Sequence, residues 1–324
     1  MTQILVSGVK PTGKLHIGNY FGAMKQFVDL QDKYDTRIFI ADLHALTSVQ
    51  NKEELNRHTY DLILDYLAIG LDPEKTTFYK QSDLPEVTEL AWIFSCLTTM
   101  PYLMRAHAFK DSEAKNKEIN VGVFNYPLLM AADILVHDAD VVPVGKDQKQ
   151  HVEIARDIAM KFNRIYGETF KLPKELIIEE RETIPGTDGQ KMSKSHNNII
   201  GLFATDEEIT KAVMSIPTDS KGVDERKDPS TDKVFALHKL VTEGPEFAEL
   251  RDRYESGGIG YKESKEILIK NMIKLIAPFR ERREELAKDR EKVLQVLTNG
   301  REKIRPQVQE KIAVIREKVG LKLI

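Results

Sequence analysis

A chain of 324 residues and 37.0 kDa, with 41% apolar and 31% charged residues, has the make-up of a globular protein with room for two domains. Its single cysteine, Cys96, excludes an intramolecular disulfide and any cysteine-built metal cluster. No stretch reaches the roughly 18 apolar residues of a bilayer span and the N-terminus lacks a signal-peptide core, so a cytoplasmic location is expected. The net charge of −3 hides an asymmetry: from Tyr261 onward there are 17 Lys and Arg against 10 Asp and Glu, a net +7 on a body of about −10. Such a tail suits a polyanionic partner held through phosphates; the alternative is a solvated helix surface.

Taken in order, Gln3 to Ser7 reads as a short buried strand. A turn containing Gly13 follows, and then a helix marked by Ile17, Tyr20, Phe21, Met24, Phe27 and Val28 at helical spacing. Arg37 to Asp42 predicts a second strand, Lys52 to Ile69 a helix stopped by Gly70, and Thr76 to Lys80 a third strand. This alternation argues for an α/β fold, a doubly wound parallel sheet with right-handed crossovers, whose ligands gather at the carboxyl ends of its strands. Glu86 to about Arg105 is apolar and helical, with Trp92 and Cys96. It serves either as a subunit interface or as core, and Cys96 is expected to be a buried, inert thiol.

Lys110 to Asn120 reads as a charged loop and Val123 to Val136 as a helix, on which Tyr126, Met130 and Asp133 share one stripe. Asp133, amid apolar neighbours, must be paired or hydrogen-bonded if it is buried; otherwise it sits on the outer face. Asp140 to Val144 is a strand, Gly145-Lys146-Asp147 a turn, Gln148 to Tyr166 a helix, and Leu176 to Ile178 a further strand. Beyond a basic loop at Lys191 to Ser195 only helices are predicted: 207–215, 231–242, 246–255 and 261–297. Gly300 is expected to end the last of these, and Pro306 to open a final helix to Val319. A boundary near residue 200 therefore separates an α/β region, 1–200, from an all-helical one, 201–324, with an inserted helical region at about 84–122.

Two distant stretches carry phosphate chemistry. Pro11-Thr12-Gly13-Lys14-Leu15-His16-Ile17-Gly18-Asn19 is a glycine turn leading into a helix N-terminus, where anions bind, and Lys191-Met192-Ser193-Lys194-Ser195 is a compact basic loop. In this order, the pair resembles the two signatures of class I aminoacyl-tRNA synthetases, usually written His-Ile-Gly-His and Lys-Met-Ser-Lys-Ser. Gly18-Asn19-Tyr20, Asp42 to Thr47, Leu129 to Leu135 and Val142 to His151 extend the resemblance to the bacterial tryptophan branch of that family.

The resemblance implies activation of L-tryptophan by ATP, bound with Mg²⁺, and transfer of the tryptophanyl group to tRNA(Trp). A homodimer is implied as well, with the anticodon read by the helical region and no protein-bound metal. His16, Asn19, Lys191 and Lys194 fall at the family's catalytic positions. Lys10, Pro11, Thr12, Gly18, Asn19, Gly145, Lys146, Asp147, Ile184 and residues 191–195 (Lys191, Met192, Ser193, Lys194, Ser195) fall at ATP-binding positions. Asp133 falls where the indole N–H is accepted, which suits a group that can only donate. Tyr126, Met130, His44, Val142, Val144 and Gln148 surround the amino acid. Three positions depart from the commonest pattern, with His16, Lys10 and Leu43 standing for a Thr and two Gln. The rivals are a tyrosyl-tRNA synthetase, whose first strand commonly carries a Tyr where Val6 lies here, and a small-molecule adenylyltransferase, which would not need the basic tail.

Overall fold

The computed structural model describes residues 2–11, 13–105, 120–145, 148–177 and 184–322. Five strands, β1 (Ile4–Val9), β2 (Asp35–Ile40), β3 (Thr76–Lys80), β4 (Val141–Val144) and β5 (Lys174–Ile177), form one parallel sheet in the order β3-β2-β1-β4-β5. Register runs from Ile4 opposite Asp35 to Val9 opposite Ile40, and from Val141 opposite Lys174 to Val144 opposite Ile177. The strand order reverses at β1 and β4, which places the topological switch point, the usual ligand crevice of such sheets, above those two strands. Parallel strands buried on both faces need the near-continuous apolar runs seen here, such as Ile38-Phe39-Ile40.

After β1 the chain enters α1 (Ile17–Asn19), passes through a π turn at Tyr20–Met24 and continues as α2 (Lys25–Leu30). The short α3 (Asp42–Ala45) follows β2. The α4 helix (Lys52–Ala68) is capped by the Asn51 side chain accepting from the Glu54 N–H. Next come α5 (Glu86–Leu97), α6 (Met100–Leu103), α7 (Val121–Leu135) and α8 (Lys149–Tyr166). The predicted continuous helix to Arg105 is thus interrupted at Thr98-Thr99, where the backbone turns extended. On α5, Trp92 is 71% exposed and Cys96 is exposed too, so the expectation of a buried thiol is wrong: the apolar run is buried only along Val87, Leu90, Ile93 and Phe94.

The helical region comprises α9 (Asp206–Met214), α10 (Lys233–Val241), α11 (Gly244–Ser256), α12 (Tyr261–Ala287) and α13 (Arg290–Lys318). Neither Gly300 nor Pro306 bounds a helix, contrary to the sequence reading. The break falls at Lys288-Asp289, where Asp289 accepts from the Lys292 N–H, and α13 then runs through both residues. A Cβ on Gly300 would overlap the Phe78 carbonyl oxygen, so the glycine is there to bring α13 against β3, the edge of the sheet. Pro306 forfeits one helical hydrogen bond, and the helix is carried past it by the buried seam Ile304, Val308, Ile312 and Ile315.

Two apolar cores flank the sheet. Leu5, Ile38, Ile40 and Phe78 face α4, α9 and α12, while Val6, Phe39, Tyr79, Val142 and Val144 face α5, α7 and α8. Val293 and Leu297 of α13 enter the first core, and Ile304 and Val308 enter the second. Much of the tail's positive charge is spent within the molecule. Arg283 bonds Asp65 at 2.6 Å and Asp61 at 2.7 Å, Lys311 bonds Asp138 at 2.7 Å, Arg280 pairs with Asp206, and Arg305 and Arg316 meet Glu86 and Glu89. The acidic body and basic tail therefore attract each other before any outside polyanion is considered.

Candidate active site

A cavity of about 1190 Å³ opens at the switch point. Lys10 and Gly145, just past the carboxyl ends of β1 and β4, line it. His16, Gly18 and Asn19 line one flank, Lys191, Met192, Ser193, Lys194 and Ile184 close over it, and His44, Tyr126, Met130, Asp133, Val142, Val144 and Gln148 form the other end. The two phosphate stretches thus meet. Lys194 Nζ stands 3.8 Å from where a Cβ on Gly13 would lie, and Met192 Cβ stands 3.4 Å from the equivalent point on Gly18. Any side chain at Gly18 would also press on His16 Nδ1 at 2.9 Å, so a glycine lets the basic loop close onto the first turn. Of the remaining candidates, Pro11 is buried outside the lining. Ser195 is exposed, with its hydroxyl 2.8 Å from that of Ser193. Thr12, Lys146 and Asp147 lie outside the described residues, as do residues 110–119 of the charged loop.

The phosphate end is fixed by contacts the sequence did not announce. The Ile17 N–H donates to Ile200 O and the Leu202 N–H to Leu15 O, both at 3.0 Å, so the segment after the basic loop pairs with the first turn. Asn19 Oδ1 accepts from the His16 N–H at 3.1 Å, which leaves its amide N–H groups as the donors it offers to a ligand. Burial, with Lys194 nearby, pushes the His16 imidazole down to about 4, so at neutral pH it is uncharged. The basic loop hangs on Asn198, whose Oδ1 accepts from the Ser193 N–H at 2.7 Å and whose Nδ2 donates to Asp188 and to Lys191 O. Lys191 and Lys194 remain exposed at the cavity; burial lowers the Lys194 ammonium pKa, and Asp65 acts against it.

At the opposite end, Asp133 is 2% exposed, which removes the outer-face alternative. Its carboxylate accepts from His44 Nε2 at 2.9 Å on Oδ2 and from Gln81 Nε2 at 2.9 Å on both oxygens. Burial raises its pKa, while the His44 and Gln81 hydrogen bonds pull the other way. Tyr126 OH lies 2.9 Å from His151 Nε2, and Lys10 Nζ stands 5.6 Å over the Tyr126 ring. Gln81, in a 3₁₀ turn at Gln81–Asp83 directly after β3, escaped the sequence reading. Its only signal is its place at the carboxyl end of a strand.

The profile of the family described as tRNA synthetases class I (W and Y) matches residues 2–277. The tryptophan–tRNA ligase of Fusobacterium nucleatum subsp. nucleatum is 51% identical over 98% of this chain and 97% of its own length. That of Rhodopirellula baltica is 44% identical over 98% and 99%. The crystal structure of tryptophanyl-tRNA synthetase from Campylobacter jejuni, complexed with ADP and tryptophan, superposes with a TM-score of 0.92 at 44% identity, covering 98% of this chain and 100% of that one. A five-stranded parallel sheet, two signature stretches closed on one cavity and relatives matched end to end lead to one placement: the chain belongs to the class I tRNA synthetases of the tryptophan and tyrosine group.

Proposed function

We propose that this chain activates L-tryptophan with ATP, forming tryptophanyl-adenylate and pyrophosphate, and then passes the tryptophanyl group to tRNA(Trp). The observation that carries the reading is one cavity with cationic and N–H donors at one end and a buried carboxylate acceptor at the other. In the first step a carboxylate oxygen of the amino acid attacks the α-phosphorus, the bond to the bridging oxygen breaks, and pyrophosphate leaves. No base is required, because the attacking group is already an anion. Positioning and charge stabilisation carry the catalysis. Lys191 and Lys194 meet the charge that grows on pyrophosphate, the Asn19 amide and neutral His16 donate to phosphate oxygens, and Lys10 sits where the attacking carboxylate and α-phosphate come together. In the second step a ribose hydroxyl attacks the acyl carbon and AMP leaves.

At the other end, Asp133 accepts the indole N–H, while Tyr126, Met130, Val142 and Val144 supply apolar contact to the ring. His44 and Gln148 complete that end, and Gly145, Ile184, Met192 and Ser193 enclose the nucleotide. Mg²⁺ arrives on the triphosphate as part of the substrate. Residues 1–200 form the catalytic region, 201–324 read the anticodon with the basic groups left over from internal pairing, and 84–122 carry the dimer contact. Trp92, Met100 and Val121, at 71%, 67% and 73% exposure, supply an apolar face for a second copy. No helix among the described residues is long and apolar enough to cross a membrane; tRNA charging serves the cytoplasm.

Pyrophosphate exchange measured with tryptophan and with tyrosine, followed by charging of total tRNA, tests the reading. Exchange with tryptophan and charging of tRNA(Trp) are expected; exchange driven by tyrosine, or none, would overturn it.

A further inference from the structure

The Gln81 side chain is fully buried and does not line the cavity, yet its amide is committed at both ends. Its Oε1 accepts from the His44 backbone N–H at 3.3 Å, a group that can only donate, which fixes the orientation of the amide and turns Nε2 toward Asp133. Nε2 then bridges both carboxylate oxygens at 2.9 Å, while His44 Nε2 takes Oδ2 as well. An ionised carboxylate has about four acceptor directions. With Oδ2 taking two of these contacts and Oδ1 one, the oxygen with room for another donor is Oδ1.

The platform beneath is knitted from two loops. Asp42 Oδ1 accepts the Ser82 and Leu43 N–H groups at 3.0 Å, and Asp42 Oδ2 accepts the Ser82 hydroxyl at 2.5 Å. The ends of β2 and β3 are therefore tied together directly under Gln81 and His44.

We propose that Gln81 is the positioning residue for amino-acid selection: it holds the Asp133 carboxylate rotated so that Oδ1 is presented to the indole N–H. Without it, one buried carboxylate loses a donor shared between both its oxygens, and its plane is no longer set. The inference rests on the tryptophan reading of the cavity, and it adds a requirement that reading lacks: selectivity for an N–H donor must depend on a residue that touches no ligand.

The test uses dissociation constants of the full chain for L-tryptophan and for β-(3-benzothienyl)-L-alanine, an isostere in which sulfur replaces the indole N–H, together with pyrophosphate exchange. Wild-type protein should prefer tryptophan, and Gln81→Leu should weaken tryptophan by about 10- to 100-fold, the range of one charged hydrogen bond, while the isostere and the KM for ATP stay put. Gln81→Glu, which keeps the size and the acceptor for the His44 N–H but places a second carboxyl against Asp133, should show the same selective loss. It also decides the matter if the leucine variant loses its cooperative melt. Equal weakening of both amino acids would reveal a merely structural role, and unchanged tryptophan affinity would show that Asp133 needs no help; either overturns the inference. Wild-type protein that binds both amino acids alike would instead overturn the assignment of Asp133 beneath it.

Discussion

On the side of the cavity proposed for the phosphates, Lys191 and Lys194 are exposed to water on a short loop, held through the backbone by Asn198. On the side proposed for the indole, Asp133, His44 and Gln81 are buried and hydrogen-bond one another. The ligands proposed for the two sides account for the difference. A triphosphate brings several charges and changes shape as pyrophosphate departs, so its partners must be strong and able to follow. An indole brings a single donor on a rigid apolar plate, and one fixed acceptor in a dry site distinguishes it best, because an unmatched buried polar group is costly.

The largest effect should come from the phosphate side. Lys194→Ala is expected to lower the rate constant of tryptophan-dependent pyrophosphate exchange by about 10²- to 10³-fold, or about 3–4 kcal/mol, with tryptophan affinity intact; a matching loss of affinity would erase the division between the two ends. Asp133→Ala should do the reverse, lowering kcat/KM for tryptophan by about 1.5–3 kcal/mol while the KM for ATP holds. Unchanged tryptophan kinetics would remove Asp133 from the recognition side.

Protonation sharpens the comparison further. The folded pKa of His16, about 4, lies below its ordinary 6.5, so the unfolded chain takes up the proton first. The stability that His16 contributes is complete above pH 6.5 and is lost as pH falls toward 4. Between pH 7 and pH 5, urea melts of the wild type should lose about 1 kcal/mol more than those of His16→Asn, after allowance for water in the open cavity. Equal losses would mean that the fold leaves the His16 pKa where it is in the unfolded chain. The smallest effect should fall on the seam: Lys10→Gln removes the cation over Tyr126 and should cost about 0.5–1 kcal/mol in kcat/KM for tryptophan, with the exchange rate at saturation as the check on any role at the α-phosphate.

How much of this could be read in advance depends on the range of the signal. Apolar runs such as Ile38-Phe39-Ile40 and the turn at Gly70 are local, and they yielded the parallel sheet and its first helices. The two signature stretches, which the structure brings to one cavity, stood out because their residues are concentrated in a few consecutive positions, and Asp133 because it is a lone acid in an apolar run. Contacts between distant segments were not. Gln81 looks like any polar residue after a strand, and its role appears only when β2, β3 and α7 converge. Gly300 and Pro306 read as punctuation because composition cannot distinguish a glycine that ends a helix from one that brings it close to a neighbour. The tail's +7 likewise gave no sign that part of it pairs within the molecule, with Asp61, Asp65, Asp138, Glu86 and Glu89. Cys96 failed for a related reason: an apolar helix can have one face packed and another bare.

The return of α13 across β3 also sets a schedule for synthesis. Of all the elements described, the helix that covers the outer edge of the sheet and enters both cores is translated last. Until residues 290–318 have left the ribosome, β3 keeps a bare edge, and the space around Phe78 and Tyr79 lacks Leu297, Ile304 and Val308. A nascent chain paused before Arg290 would therefore carry both signature stretches complete and still be prone to pair its open edge with a neighbour, so that Gly300, far from the chemistry, marks the moment the nascent enzyme ceases to be sticky.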